Sequence, residues 1–337
     1  MTDIRQNKKT TIYDLAKLAG ASPSTVSAVI SGAWKKRRIS TKLAEKITRL
    51  AEEQGYAINI QASMLRSNRS RIIGMIVPKY DNRYFGSIVE GFEAMARARG
   101  LFPIITCTRR NPALELEAAK AMLSWQVDWL VATGASDPDQ VTELCTQSGI
   151  PTLNLDLPGK LAPSVISDNY SGAKTLVSTI LRNNEKRHGD KSPLIFVGGR
   201  ASDHNTRERL RGFRDAHKEQ GIEVDEDNIL ACGYGPEKAQ QALGNYLEHH
   251  QPPLPGIFVN STISLEGVIR WLDSQGYTHH QQPAMGCFDW DPFVELLGHD
   301  IATVRQNVPA MLEAIFDLID NEKTAVQLIE IPTIEVT

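Results

Sequence analysis

Residues 10 to 30 read TTIYDLAKLAGASPSTVSAVI. Thr11 and Asp14 form a capping box: the Thr11 hydroxyl can accept from the Asp14 backbone, and the Asp14 carboxylate can reach back to the cap. Ile12, Leu15, Ala16 and Ala19 then fall on one apolar stripe, and Gly20 is the residue type that ends a helix. Ser22 starts a second helix at once, with Pro23 at the first helical position, where its missing N–H costs nothing. Val26, Val29 and Ile30 give that helix its buried side. A third helix is expected from Ser40 to about Gln54, with Leu43, Ile47, Leu50 and Ala51 inward and Gly55 as the stop. Residues 1–56 therefore read as a small, tightly packed three-helix domain.

The charge is divided unevenly. The chain of 337 residues carries a net charge of -3. Residues 1–70 hold 13 Lys and Arg against 5 Asp and Glu, which leaves a net of -11 for the remainder. A basic head on an acidic body points to a polyanion as the partner of the head alone. With 41% hydrophobic and 23% charged residues and no apolar run of membrane-spanning length, no membrane span is expected. The first thirty residues offer no secretory apolar stretch, so a cytoplasmic location is expected. The four cysteines, spaced 38, 87 and 55 positions apart, fit neither a metal knuckle nor a disulfide framework.

From Ile72 onward, β-branched runs alternate with helical segments: 72–77 then 85–98, 102–107 then 113–125, 129–133 then 140–147, and a strand over 150–156. A second set opens at 195–197, 229–232, 257–259 and 285–288, each trailed by a helix. This alternation predicts parallel sheets with helices on both faces, in two doubly wound lobes. The lobe switch is placed near Asp168, with a crossing back near 305–325. Between head and body, residues 57–71 read AINIQASMLRSNRSR, too short for a stable isolated helix in water and therefore a conditional helix within a linker.

On the residues just quoted, with EQGYAINIQASMLR and IIGMIVP, the whole chain resembles the lactose-repressor (LacI) and galactose-repressor family of bacterial regulators. The resemblance implies a helix-turn-helix head (1–56), a hinge helix (57–71) and a two-lobed effector-binding and dimerisation domain (72–337) similar to periplasmic sugar-binding proteins. It places Pro23, Ser24 and Ala28 at base-reading positions and Thr25 and Ser27 near phosphates. It also implies DNA contacts from Thr11 and Tyr13, and from Asn59, Ala62, Leu65 and Arg66 in the hinge. Lys35, Lys36, Arg37 and Arg38, in the turn before the third helix, suit phosphate neutralisation. This long, basic turn is similar to that of the fructose- and sucrose-responsive branch.

In the body, effectors are expected at strand ends facing the cleft between lobes. Asp81, Tyr84 and Phe85 follow the first strand. Asp156, Asn260, Asp289 with Trp290, and Gln306 end later ones, and Arg207 and Arg209 open a helix. Carboxylates, amides and guanidinium groups pair with sugar hydroxyls, and an aromatic ring packs on the apolar sugar face. By resemblance Asp156, Arg209, Asn260, Asp289 and Gln306 match ligand-binding positions and Tyr234 the stacking aromatic. The effector class is left as sugar, sugar phosphate or sugar acid. Leu157, where phosphosugar-responsive relatives tend to carry Arg, weighs against the phosphate.

Phosphate-loop and nucleophile-elbow motifs do not occur, and the paired histidines 249–250 and 279–280 read as surface residues, so catalytic activity, a metal and a cofactor are not expected. The expected function is an operator-binding transcriptional regulator, a repressor of carbohydrate-utilisation genes working as a homodimer. A cytosolic sugar sensor without operator function is the alternative, and it gives no reason for the basic head. The tail QLIEIPTIEVT reads as strand rather than leucine heptads, so nothing beyond a dimer is expected.

Overall fold

The computed structural model describes residues 10–56, 69–189, 191–250, 254–277, 282–297 and 301–336. The chain divides into two compact units, residues 1–70 and 71–337. In the head, α1 (Ile12–Ala19) starts at the Thr11 capping box and stops at Gly20, whose left-handed φ of 67° turns its N–H onto the Ala16 and Lys17 carbonyls. Ser22 caps α2 (Pro23–Ile30) by accepting from the Thr25 N–H at 3.1 Å. Ser40 caps α3 (Thr41–Glu53) in the same way. Leu15, Val26, Val29 and Ile47 form the core of these three helices. The segment between α2 and α3 winds as successive turns, with Trp34 packed against that core and the Ile39 N–H on the Trp34 carbonyl.

The body holds two six-stranded sheets, one in each lobe. The strands of lobe 1 are β1 (Ile72–Val77), β2 (Phe102–Cys107), β3 (Trp129–Thr133), β4 (Thr152–Leu155), β5 (Ser164–Ser167) and β13 (Leu328–Ile331). They lie in the order β13-β5-β4-β3-β1-β2 and are parallel throughout. The helices of this lobe are α4 (Arg83–Ala98), α5 (Pro112–Ser124), α6 (Pro138–Thr146) and α12 (Val308–Asp320). β1 is buried at all six positions because both faces are covered. Ile73, Met75 and Val77 pack with Phe92 and Phe316, while Ile72 and Ile76 pack with Ala119 and Met122. Each of the larger Ile, Val, Met and Phe side chains among them contributes roughly 1.5–3 kcal/mol of burial free energy.

Lobe 2 comprises β6 (Ile195–Val197), β8 (Ile229–Leu230), β10 (Ile257–Val259), β11 (Met285–Phe288), β12 (Ala302–Arg305) and β14 (Ile334–Val336), with α7 (Asn169–His188), α8 (His204–Glu219), α9 (Pro236–His249), α10 (Thr262–Ser274) and the short α11 (Pro292–Leu296). Its sheet has the order β14-β12-β11-β10-β6-β8, with only the β12–β14 edge pair antiparallel. Phe196, Phe213 and Phe258 cluster on one face, Phe196 stacked on Phe258 with centroids 5.0 Å apart and Phe213 edge-on to both.

The chain passes between the lobes at Asp168, which caps α7; at Gln306 and Asn307, between β12 and α12; and between β13 and β14. Three differences from the sequence reading appear. The strand expected over 150–156 is confined to Thr152–Leu155. The run 229–232 divides into β8 and β9 (Cys232–Gly233), the latter pairing with β7 (Gly199–Arg200) in a separate ribbon. Strand β5 has no counterpart among the expected elements, because its sequence SVIS puts polar serines at two buried positions.

Candidate functional site

In the body, strand ends of both lobes converge. Asp156, after β4, and Asp289, after β11, are buried and have left-handed backbones, with φ of 74° and 105°. Such angles in non-glycine residues store strain and cluster at functional sites. From lobe 1, Tyr84 Oη donates to Asp156 Oδ1 at 3.0 Å; from lobe 2, Asn205 Nδ2 donates to the same oxygen at 3.2 Å. Arg209 donates from Nε to Asn169 Oδ1 (2.8 Å) and from Nη1 to the Asn260 carbonyl (2.6 Å), and its guanidinium lies 3.6 Å from the Phe288 centroid. Gln306, at the second crossing, donates from Nε2 to Asp289 Oδ1 at 2.6 Å and accepts from the Ser167 hydroxyl at 2.7 Å.

Burial is the main influence on both carboxyls. It pushes Asp289 up to about 6, against the opposing Arg209 charge and the Gln306 hydrogen bond. Burial also raises Asp156, opposed first by Arg110, then by the Tyr84 hydrogen bond and Arg209. Asn260 is fully buried, and neither its side-chain oxygen nor its nitrogen has a hydrogen-bond partner. A buried amide in that condition awaits a ligand or water. A groove of about 310 Å³ between α4 and α12 opens onto Tyr84, Asp289 and Gln306. A larger surface groove of about 630 Å³, bounded by Trp271 and Tyr277 in lobe 2, contains none of these residues.

The structure brings Asp156, Tyr84, Arg209, Asn260, Asp289 and Gln306 together, with Phe85 buried edge-on to Tyr84. Tyr234 stands in the same wall, its hydroxyl 3.4 Å from Thr206 Oγ1. Two assignments need correction. Asp81 is exposed in a turn beside Lys79 and joins no cleft contact. Arg207 is exposed and donates to the Ser202 carbonyl one turn back, since it sits on the opposite side of α8 from Arg209. Trp290 lines the same groove as Tyr84, Asp289 and Gln306, donating to Glu295 with Arg305 over its ring. Sequence reasoning missed Asn169, Asn205 and Arg110: Asn205 reaches Asp156 from the other lobe, Asn169 holds Asn205 and Arg209, and Arg110 faces Asp156 from a turn of the same lobe.

In the head, Pro23 and Ser24 are exposed, and Ser22 Oγ lies 2.8 Å from both Ser24 Oγ and Thr25 Oγ1, a cluster of hydroxyls at the start of α2. Ser27 is half-buried, Tyr13 is 72% exposed, and Thr11 spends its hydroxyl on Asp14. Ala28 is only 4% exposed, which removes it as a base-reading surface. Lys35, Lys36, Arg37 and Arg38 are all exposed, with the Lys35 ammonium 5.4 Å from the Trp34 ring. Asn59, Ala62, Leu65 and Arg66 lie outside the described residues, as do residues 57–68 of the hinge helix expected over 57–71, and the described residues 69–71 are not helical. Among the described residues, no cluster of His, Cys, Asp and Glu could hold a metal ion, and no helix is long and apolar enough to cross a membrane.

Residues 11–59 match the family described as bacterial regulatory proteins, lacI family, and residues 73–321 match the periplasmic binding protein domain. The ribitol operon repressor of Klebsiella aerogenes is 71% identical over 193 residues, covering 57% of this chain and 72% of that protein. The sucrose operon repressor of Klebsiella pneumoniae is 28% identical over 315 residues, covering 93% and 92%. Among solved structures, the lac repressor dimer bound to operator and the anti-inducer ONPF shares the fold with a TM-score of 0.82, at 20% identity over 98% of each chain. A LacI family regulator from Enterococcus faecium with bound ribose gives a TM-score of 0.66 at 17% identity, covering 79% of this chain and 97% of that one.

Proposed function

The chain belongs to the lacI family of bacterial regulatory proteins, and from that premise we propose that it is a cytoplasmic, dimeric repressor of a carbohydrate operon whose operator affinity is set by a sugar or polyol in the interlobe cleft. Residues 1–56 read the operator, 57–71 form the hinge, and 72–337 bind the effector and the second subunit. The observation that carries the reading is a single buried polar network, fed by strand ends of both lobes, in a chain that also bears a basic helix-turn-helix head. That head gives an effector-binding body something to regulate, which a plain sensor lacks.

In the cleft, Asp156, Asp289, Asn260, Arg209 and Gln306 supply paired donors and acceptors for hydroxyls, and Tyr234 and Phe85 pack on C–H faces. In the head, Ser24 and Pro23 face base edges, while Thr25, Ser27, Tyr13 and the Lys35–Arg38 turn hold phosphates. The 71% relative makes ribitol and related five-carbon polyols and sugars the first effector candidates. The test is fluorescence anisotropy on DNA from the protein's own promoter region, with and without ribitol, ribose, sucrose and fructose 1-phosphate. The expected outcome is salt-dependent operator binding that one of these releases. A chain that binds operator no better than random DNA would overturn the reading.

A further inference from the structure

Arg110 lies in the turn between β2 and α5. Arg109 and Arg110 both have left-handed backbones, with φ of 55° and 53°. Two consecutive non-glycine residues in this region are costly unless the surrounding fold holds them there. The turn delivers the Arg110 side chain into the cleft, where it is 15% exposed. Its guanidinium lies 5.7 Å from the Phe85 ring of lobe 1 and 5.0 Å from the Tyr234 ring of lobe 2. Across the gap, its Nη1 is 3.9 Å from Asp203 Oδ2, too long for a hydrogen bond.

Neither member of this pair is satisfied. Among the described residues the Arg110 guanidinium makes no hydrogen bond, and the buried Asp203 Oδ2 has no hydrogen-bond partner. Arg209 is different: two of its donors and its face are already committed to Asn169, Asn260 and Phe288. Among the described residues, Arg110 thus offers the cleft a donor fork that no hydrogen bond occupies. A guanidinium only donates and a carboxylate only accepts, so the group that completes both must do each. A hydroxyl does. A phosphate or carboxylate would accept from Arg110 but would bring its charge up to Asp203 and to Asp156, which Arg110 also faces electrostatically.

We propose that Arg110 contacts the effector directly and, with Asp203, recognises a vicinal diol of an uncharged polyol at the interlobe gap. The proposal rests on the effector reading above. Adjacent hydroxyls accept from the fork and donate to Asp203 and Asp156, while the Phe85 and Tyr234 rings shield the contact from water.

The experiment is calorimetric titration of the full chain with ribitol, ribose and ribitol 5-phosphate, in the parent, Arg110→Ala and Arg110→Lys. The parent should bind an uncharged member at least tenfold more tightly than the phosphate. Arg110→Ala should weaken that binding tenfold or more, and Arg110→Lys should stay several-fold weak, because an ammonium is a point donor without the fork. Circular dichroism and the thermal midpoint check the fold, and Arg110→Gln replaces the alanine variant if it does not fold. Variants that titrate like the parent, or a parent that prefers ribitol 5-phosphate, would overturn the proposal and leave the effector reading standing. A parent that binds none of the three, nor sucrose nor fructose 1-phosphate, would overturn both.

Discussion

Asp289 combines a left-handed backbone, burial and a carboxyl pushed up to about 6. A group that holds its proton more tightly folded than unfolded stabilises the fold at low pH, and that contribution disappears as pH rises through its folded value. Asp289 therefore opposes folding above about pH 6, a cost that effector hydroxyls can offset by hydrogen-bonding the ionised form. Asp289→Asn should raise unfolding free energy at pH 7 by on the order of 2 to 3 kcal/mol and flatten the fall between pH 4 and 6.5, as urea denaturation would read. His217 works in the opposite sense: burial holds its pKa below the usual value, so its contribution is lost on acidification, and the parent–variant difference cancels it. In the parent, effector affinity should increase from pH 5 to pH 7, and a flat calorimetric profile would remove the ionised Asp289 from binding. Gly199 is a second sensitive residue. Its φ is 78°, and a Cβ there would lie 2.5 Å from Asn260 Nδ2 and 2.6 Å from Thr206 Oγ1. Gly199→Ala should therefore destabilise the chain by about 1 to 3 kcal/mol and weaken effector binding together. Parental values in both measurements would show that the backbone gives way there.

Among the elements, the turn 31–38 is the most consequential for DNA. Trp34 anchors it to the head core, and its four cations are exposed. Replacing Lys35, Lys36, Arg37 and Arg38 by Ala should weaken operator and random DNA alike and make the salt dependence of binding shallower by ~0.9 in log–log slope for each phosphate no longer neutralised. Weakening confined to the operator, at an unchanged slope, would place these side chains on bases instead. Helix starts are legible in the sequence because caps are local: Thr11, Ser22 and Ser40 announce them and perform that role. Buried parallel strands are legible because covering both faces leaves an unbroken apolar run such as 72–77. Strand β5 escapes such a reading because Ser164 and Ser167 satisfy their hydroxyls with Asn154 and Gln306, partners that only the fold brings near. Arg110 escapes it for a related reason. In the sequence it belongs to a charged, proline-ended turn, TRRNP, and only the approach of Asp203 and Tyr234 gives it a role.

At the scale of the whole molecule, function requires that events in the cleft reach the operator. The lobes are joined by three chain crossings and by contacts that span the cleft, among them Asn205 on Asp156 at 3.2 Å and Arg83 on Asp291 at 2.7 Å. In the function proposed above, an effector that inserts between these groups would shift one lobe on the other, and the segment 57–71, which leads from the body to the head, would receive that shift. Two copies of this segment in a dimer can bury Ile60, Met64 and Leu65 together on DNA, which offsets the nucleation cost of a short helix. Leu65 matches by resemblance the side chain that wedges into the minor groove, trading base unstacking for a bend and a wider contact. Coupling of this sort is typically about 1 to 3 kcal/mol, and it is reciprocal: saturating operator must weaken effector binding by the factor by which effector weakens operator binding. Leu65→Ala should lower operator affinity and DNA bending together, leave effector affinity of the free protein at its parental value, and shrink the reciprocal factor. Gel-shift phasing gives the bend, and calorimetry with and without operator gives the factor. A variant that bends and binds operator like the parent would leave the segment as a tether, and the coupling would then have to run through the dimer contacts of the body.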